Sequence, residues 1–343
     1  MSSTLTEVSR ARPVGEVIRV RDGRVVSRGK LPQNVFMDRF AVEPKVQRVW
    51  DKSHATWFTL MAIGGGLFIL SRLLGIEEQL GHLLGMPVSD LISFVLIAIG
   101  GLVLIWDLGR PLRILRALLN PASSWISRGA IADFAFLIFG LVLVLPDLQL
   151  GNTHPLASLP WNSQAATAGG RVFEVVAMIS ALVVMFYVGA VLGKPRSIPY
   201  WHSIAIPVQF VSSGGAMAMG MIVLLEVANG RSVGWRELVV LMVMLAVEFV
   251  ALIWHLLTST NVPGKRESLN MLLRGRYRVL FPVGVIGCGT LVPLLLCIVG
   301  LSARGSRPAV AVVDFVLVTC AGFALRLVTL RVGVFAPVRG EAR

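Results

Sequence analysis

Residues 91–129 read LISFVLIAIGGLVLIWDLGRPLRILRALLNPASSWISRG. The stretch before Asp107 has no charged side chain, and Asp107 is followed within a few residues by Arg110 and Pro111. An apolar run of that length suits a helix crossing a hydrocarbon layer about 30 Å thick. Backbone groups in hydrocarbon must bond within their own segment, so the run is read as a helix that leaves the membrane at Asp107. Beyond Asp107, four arginines, two prolines and Trp125 are packed into one short connection.

The same alternation extends in both directions. Further apolar spans are expected at about 55–74, 130–146, 172–193, 204–227, 238–257, 280–301 and 310–330, which with 91–107 makes eight. Breaks fall where helix-stopping and polar residues cluster, as at Gly85-Met86-Pro87, Lys194-Pro195-Arg196 and Pro263-Gly264-Lys265. Of the 343 residues 55% are hydrophobic and 15% charged, with a mean hydropathy of +0.76. That balance excludes an ordinary water-soluble domain, and the fold expected is an all-α membrane protein with eight transmembrane helices. The sequence divides into a basic extramembrane leader (1–53), a membrane domain (54–335) and a short basic tail (336–343).

Charge orients the bundle. With the loops assigned to alternating sides, one side collects the leader, the loops at 107–129, 194–203 and 258–279, and the tail, and with them 25 of the 32 Lys and Arg residues. The asymmetry favours both termini in the cytoplasm. A basic face shaped for an acidic partner subunit is the alternative source of the same bias. The leader lacks the apolar core of a signal peptide. Its VIRVRDGRVV segment, Val17 to Val26, alternates around Asp22-Gly23 as a hairpin does, and a disordered basic tail is the competing reading. Its charge is assigned to anionic lipid or a partner rather than to nucleic acid.

Cys288, Cys297 and Cys320 fall in spans without CxxC spacing and read as core-packing thiols, so no iron–sulfur cluster or zinc site is expected. A b-type haem needs facing histidines at depth. His82 and His154 lie in loops on one side, and His54, His202 and His255 near span ends on the other, so no haem is expected either.

By chemistry alone the 107–129 connection is readable as a cytoplasmic anchor. Asp107 is costly at the membrane edge unless an arginine such as Arg110 pairs it. Pro111 suits the first turn of a short interfacial helix over Leu112–Leu119. Asn120-Pro121 stops that helix, Ser123 or Ser124 can cap the next, Trp125 has a boundary ring, and Arg128 anchors the third span.

The order Asp107-Leu-Gly-Arg110-Pro111, then Asn120-Pro121-Ala-Ser-Ser124-Trp125-Ile-Ser-Arg128-Gly129, resembles the motif joining the second and third helices of the polysulfide reductase NrfD-type membrane subunits. Tyr187-Val-Gly189-Ala-Val-Leu-Gly193, Ile198-Pro-Tyr-Trp201-His202 with Pro207 and Gly214-Gly215, and Gly64-Gly65-Gly66 add to the likeness, which covers roughly residues 54–335. The leader has no counterpart in it. The resemblance implies two four-helix bundles and a quinone-interacting anchor without a prosthetic group. It also implies a docked ferredoxin-like iron–sulfur subunit serving a molybdopterin catalytic subunit, with menaquinone or ubiquinone as the exchangeable substrate. It matches Tyr187 to a quinone-bonding tyrosine and, less closely in spacing, His54 to a second ligand. In this reading Asp107, Arg110, Pro111, Asn120, Pro121, Ser124, Trp125 and Arg128 shape the connection and dock the partner.

The topology places His54, Asp107 and Tyr187 on one side, where a quinone needs an apolar slot, hydrogen-bond partners and a proton route. Each residue also has a plainer reading, Tyr187 as an interfacial aromatic and His54 as a helix-start residue. Asp133, Glu248 and His255 are candidates for proton transfer, the last two seven apart on one helix face. Glu174 and Glu226, close to span ends, are expected to snorkel to water. The rival function is a proton-coupled transporter or proton-translocating subunit, which should show paired halves with matching broken helices. No convincing internal repeat is visible.

Overall fold

The structure, a computed structural model, describes residues 16–21, 24–30, 45–107, 118–164, 167–258, 262–302 and 308–336. The expected interfacial helix over Leu112–Leu119 falls almost wholly outside these residues, and so do Arg110 and Pro111. In the leader, β1 (Glu16–Arg21) and β2 (Arg24–Lys30) pair antiparallel, with a bulge between Arg19 and Val20. The two strands flank Asp22-Gly23, as the alternating pattern predicts.

Among the described residues eight helical segments are long and apolar enough to cross a membrane. They are α1 (Lys52–Leu74), α2 (Val88–Asp107), α3 (Trp125–Val144), α4 (Ala168–Gly193), α5 (Ala205–Ala228), α6 (Trp235–Leu257), a seventh span (Leu280–Ser302) and α9 (Pro308–Arg331). The amphipathic helix α7 (Pro263–Leu273) precedes the seventh span, which is π-helical over Leu280–Leu291 and α-helical as α8 over Val292–Ser302. The π-helical part ends just before Pro293, which has no N–H to give an α-helical ladder.

Local chemistry sets the helix ends. Asp51 caps α1 by accepting from the Ser53 N–H at 2.9 Å, and Gly75 closes it in the left-handed region at φ 66°. Ser124 accepts from the Ser127 N–H, so α3 starts at Trp125, about five residues before the apolar run alone suggests.

The order of the helices and their contacts bring α1 to the middle. Neighbours α1 and α2, α2 and α3, and α3 and α4 pack together, and α4 returns to α1; α5, α6, the seventh span and α9 are likewise packed in sequence, with α9 returning to α5. Helix α1 also packs on α5 and α9. Its three consecutive glycines explain how one helix meets so many neighbours. Successive residues of a helix point about 100° apart. A Cβ at Gly64 would meet Ser93 O of α2 at 2.9 Å, one at Gly65 would meet Ala181 O of α4 at 3.0 Å, and one at Gly66 would meet Ala218 of α5 at 2.7 Å.

We call the end where α1 begins the near end. There the segment before α1 is stapled to the segment after α9. Gln47 N–H donates to Gly333 O at 2.8 Å and Phe335 N–H to Lys45 O at 3.0 Å, while the Gln47 amide donates to Leu330 O at 2.7 Å.

At the far end, Arg72 of α1 and Asp90 of α2 form a bidentate pair, with Nη2 to Oδ2 at 2.8 Å. The guanidinium lies 4.0 Å from the Phe68 ring, and its Nε is 3.7 Å from Glu174. Glu174 therefore reaches an arginine. Glu226 is buried beside Glu237 instead of snorkelling, because the turn joining α5 to α6 brings the two carboxyls to one place. Among the cysteines only Cys297 packs in the core; Cys288 and Cys320 lie on the outer surface, and all three are free thiols.

Candidate functional site

At the near end an aromatic cluster grows from the segment leading into α1. The Trp50 ring lies 4.8 Å from the His54 ring and 6.0 Å from Trp201, and Trp201 donates its indole N–H to Thr329 O at 2.7 Å. One turn further along α1, Trp57 is the common neighbour of His54, at 6.4 Å, and of Tyr187 on α4, at 6.2 Å with the rings nearly parallel. Phe58 packs edge-on against Trp57 at 4.2 Å.

The water edge of this cluster is acidic. Ser53 Oγ lies 2.7 Å from both Asp107 Oδ2 and Asp51 Oδ1, which share its one proton, and His54 Nδ1 lies 3.7 Å from the same Asp107 oxygen and 3.4 Å from Asp51. Asp107 thus takes Ser53 and His54 from the next helix as partners. The hydroxyl and N–H of Ser53 hold the Asp51 carboxyl down at about 2, below the ordinary 3.8, against a smaller opposing effect of burial.

Towards the membrane interior Tyr187 is buried, and its hydroxyl donates to Met61 Sδ at 3.3 Å and interacts with the Asp133 carboxyl of α3. Gly129 makes room for it: a Cβ there would come within 2.3 Å of the phenol ring. Gly189 plays the corresponding part on the other face of α4, where a Cβ would lie 2.4 Å from Pro207 Cα. Two polar atoms in this region are buried without a hydrogen-bond partner, Trp57 Nε1 and Asp133 Oδ1. A thioether is a weak acceptor, so the Tyr187 hydroxyl too has hydrogen-bonding capacity to spare.

The connection residues hold one another. Arg128 donates through Nε to Pro121 O at 2.8 Å and through Nη2 to Ala122 O at 3.0 Å, with its guanidinium 4.5 Å from the Trp125 ring. Asn120 O accepts from the Ser124 N–H, and Lys194 at the end of α4 donates to Ser123 O at 2.8 Å. The turn between Asn120 and Arg128 is therefore built from its own side chains and latched to the helix that carries Tyr187.

His54, Asp107, Tyr187 and Asp133 are brought into one connected region. Glu248 and His255 are not; they pack in the second half of the sequence. Glu248 faces the buried Arg326 guanidinium, which donates to Ser213 Oγ, Gly322 O and Phe210 O. His255 stands edge-on to Tyr200 at 4.6 Å with neither ring nitrogen bonded. Outside the spans, burial lowers the Lys265 ammonium pKa and raises that of the Tyr200 phenol. The sequence reading missed Trp57, Trp50, Met61 and the Arg72–Asp90 pair. Spacing offered one usable signal, since Trp50, His54, Trp57 and Met61 recur at helical intervals along one face.

Eight apolar helices make this a multi-pass integral membrane protein. The model of the family described as polysulphide reductase, NrfD, matches residues 42–337, and the protein belongs to that family. The C chain of the polysulfide reductase of Wolinella succinogenes is 27% identical over 216 residues, which cover 60% of the present sequence and 68% of that relative.

Proposed function

We propose that the protein is the membrane subunit of a multisubunit reductase and the part of it that handles quinone. Electrons pass between a membrane quinone, menaquinone or ubiquinone, and a docked ferredoxin-like iron–sulfur subunit that serves a molybdopterin catalytic subunit. The relative's name, one lettered polypeptide of a polysulfide reductase, supports membership of a complex. The observation that carries the quinone reading is the set of unspent hydrogen-bonding groups at the near end. Trp57 Nε1 has no partner, and the Tyr187 hydroxyl is held only by the weak Met61 sulfur acceptor and the Asp133 carboxyl, both within an apolar aromatic cluster that continues to His54. A quinone carbonyl is an acceptor for such donors, and its ring suits aromatic walls.

The residues divide the work by depth. Tyr187 binds and protonates from the interior, while His54, beside Asp51 and Asp107, exchanges protons with water. Trp57 orients the ring through its indole N–H. In this reading the basic near end lies on the cytoplasmic side of a bacterial inner membrane. The test is kinetic: Tyr187→Phe and His54→Ala each lower quinone-linked turnover of the assembled complex by about 10²-fold, a typical acid–base contribution. Dye-linked activity of the catalytic subunit should be unaffected. Wild-type quinone kinetics in both variants would remove this site.

A further inference from the structure

The unpartnered oxygen of Asp133 calls for an account of its own. Asp133 is 8% exposed, and no Lys, Arg or His among the described residues pairs with it. It stands one turn beyond Gly129 on the same face of α3. The Tyr187 ring lies against Gly129. Helical side chains lean toward the start of their own helix, and α4 runs opposite to α3, so the phenol leans from the level of Gly129 toward that of Asp133. Its hydroxyl there interacts with the carboxyl.

One turn deeper still, the way onward is apolar. Phe136 of α3 meets Phe68 of α1 at 5.0 Å and Phe94 of α2 at 5.5 Å, and the rings of Phe68 and Phe94 are 6.2 Å apart. Phe68 and Phe136 are wholly buried. This aromatic layer stands between Asp133 and the Arg72–Asp90 pair at the far end. Toward the near end, Asp133 meets Tyr187.

We propose, resting on the quinone reading above, that Asp133 is an internal proton store that acts through Tyr187 and is filled and emptied from the near end alone. The resting carboxyl carries the proton, because a charge buried without a partner is disfavoured. When the iron–sulfur partner supplies two electrons to the quinone, two protons are taken up. The Tyr187 O–H breaks as an O–H forms on one quinone oxygen, and the Asp133 O–H breaks as the phenol re-forms. His54 gives the second proton to the other oxygen and recovers it from water. After the quinol leaves, Asp133 is reprotonated through Tyr187. Oxidation of quinol runs the same steps in reverse.

The experiment uses the complex in its own membranes and compares Asp133→Asn, Asp133→Glu and Tyr187→Phe. Asp133→Asn should lower the quinone-linked kcat by about 10²-fold with an unchanged KM for quinone, and Asp133→Glu should restore most of it. Dye-linked activity should be the same in all three. Wild-type turnover in Asp133→Asn with slow turnover in Tyr187→Phe overturns the proton store alone, whereas wild-type turnover in both takes the quinone site down with it. Should Asp133→Asn fail to assemble, infrared difference spectra on quinone reduction decide. A carboxylic C=O band must be lost in the unmodified complex and displaced in Asp133→Glu, and its absence overturns the proposal.

Discussion

The two ends of the first four helices handle buried polarity in opposite ways. At the far end the buried guanidinium is compensated: Arg72 grips Asp90 with two hydrogen bonds, lies on Phe68 and borders Glu174. At the near end Asp133, Trp57 and Tyr187 are equally buried, yet they keep donors and an acceptor unspent. Compensated polarity locks two helices together; under the proposed function, the uncompensated polarity of the near end is what a quinone and its protons would satisfy.

The largest effect expected from breaking this contrast is at the far end. Asp90→Ala leaves the buried Arg72 charge with only its longer contact to Glu174 and should destabilise the protein by about 3–5 kcal/mol, read as a lower melting temperature in detergent. Replacing both partners, Arg72→Met with Asp90→Leu, should recover most of that loss. Equal damage from the double replacement would show that the pair does more than neutralise itself. A smaller effect is expected at Gly129. Gly129→Ala pushes the Tyr187 ring aside and should cost about 1–3 kcal/mol of stability. The diagnostic is that quinone-linked turnover falls while the folded complex is still recovered.

The smallest effect concerns the cap at the water edge. Asp51→Ala should cost about 1 kcal/mol. The Asp51 carboxyl is held at about 2 in the fold against an ordinary 3.8. Its ionic contribution is therefore complete above about pH 4, shrinks as pH falls and is gone below about pH 2. Melting curves of the wild type and of Asp51→Ala should converge over that acid range, and a constant gap would assign the cap to packing instead.

Much of the fold was legible because bilayer crossing is a demand on length and composition, and each span satisfies both on its own. The Ser124 cap is likewise local, readable from one turn of backbone. The partners across helices were not. A helix apolar on all sides carries no stripe to say which way it faces, so nothing in the sequence joins Arg72 to Asp90 or turns Asp133 toward Tyr187. Trp57 was missed for a related reason, since one more aromatic residue near a membrane boundary is unremarkable until its neighbours are known. The π-helical start of the seventh span depends on how its turns are bonded, and the Pro–Gly pattern that accompanies it also suits a simple kink.

The glycine triplet of α1 has a mechanical consequence. Contact with three helices at one level clamps α1 near its middle, so the helix resists sliding and is best able to move as a lever about that point. The His54 end is about 17 Å from Gly65 at 1.5 Å per residue, so a tilt of about 5° carries the imidazole and the Trp57 indole roughly 1 Å. Such a swing would widen or narrow the aromatic cluster, and Arg72, about 10 Å from Gly65 on the other arm, would move by about 0.9 Å in the opposite sense.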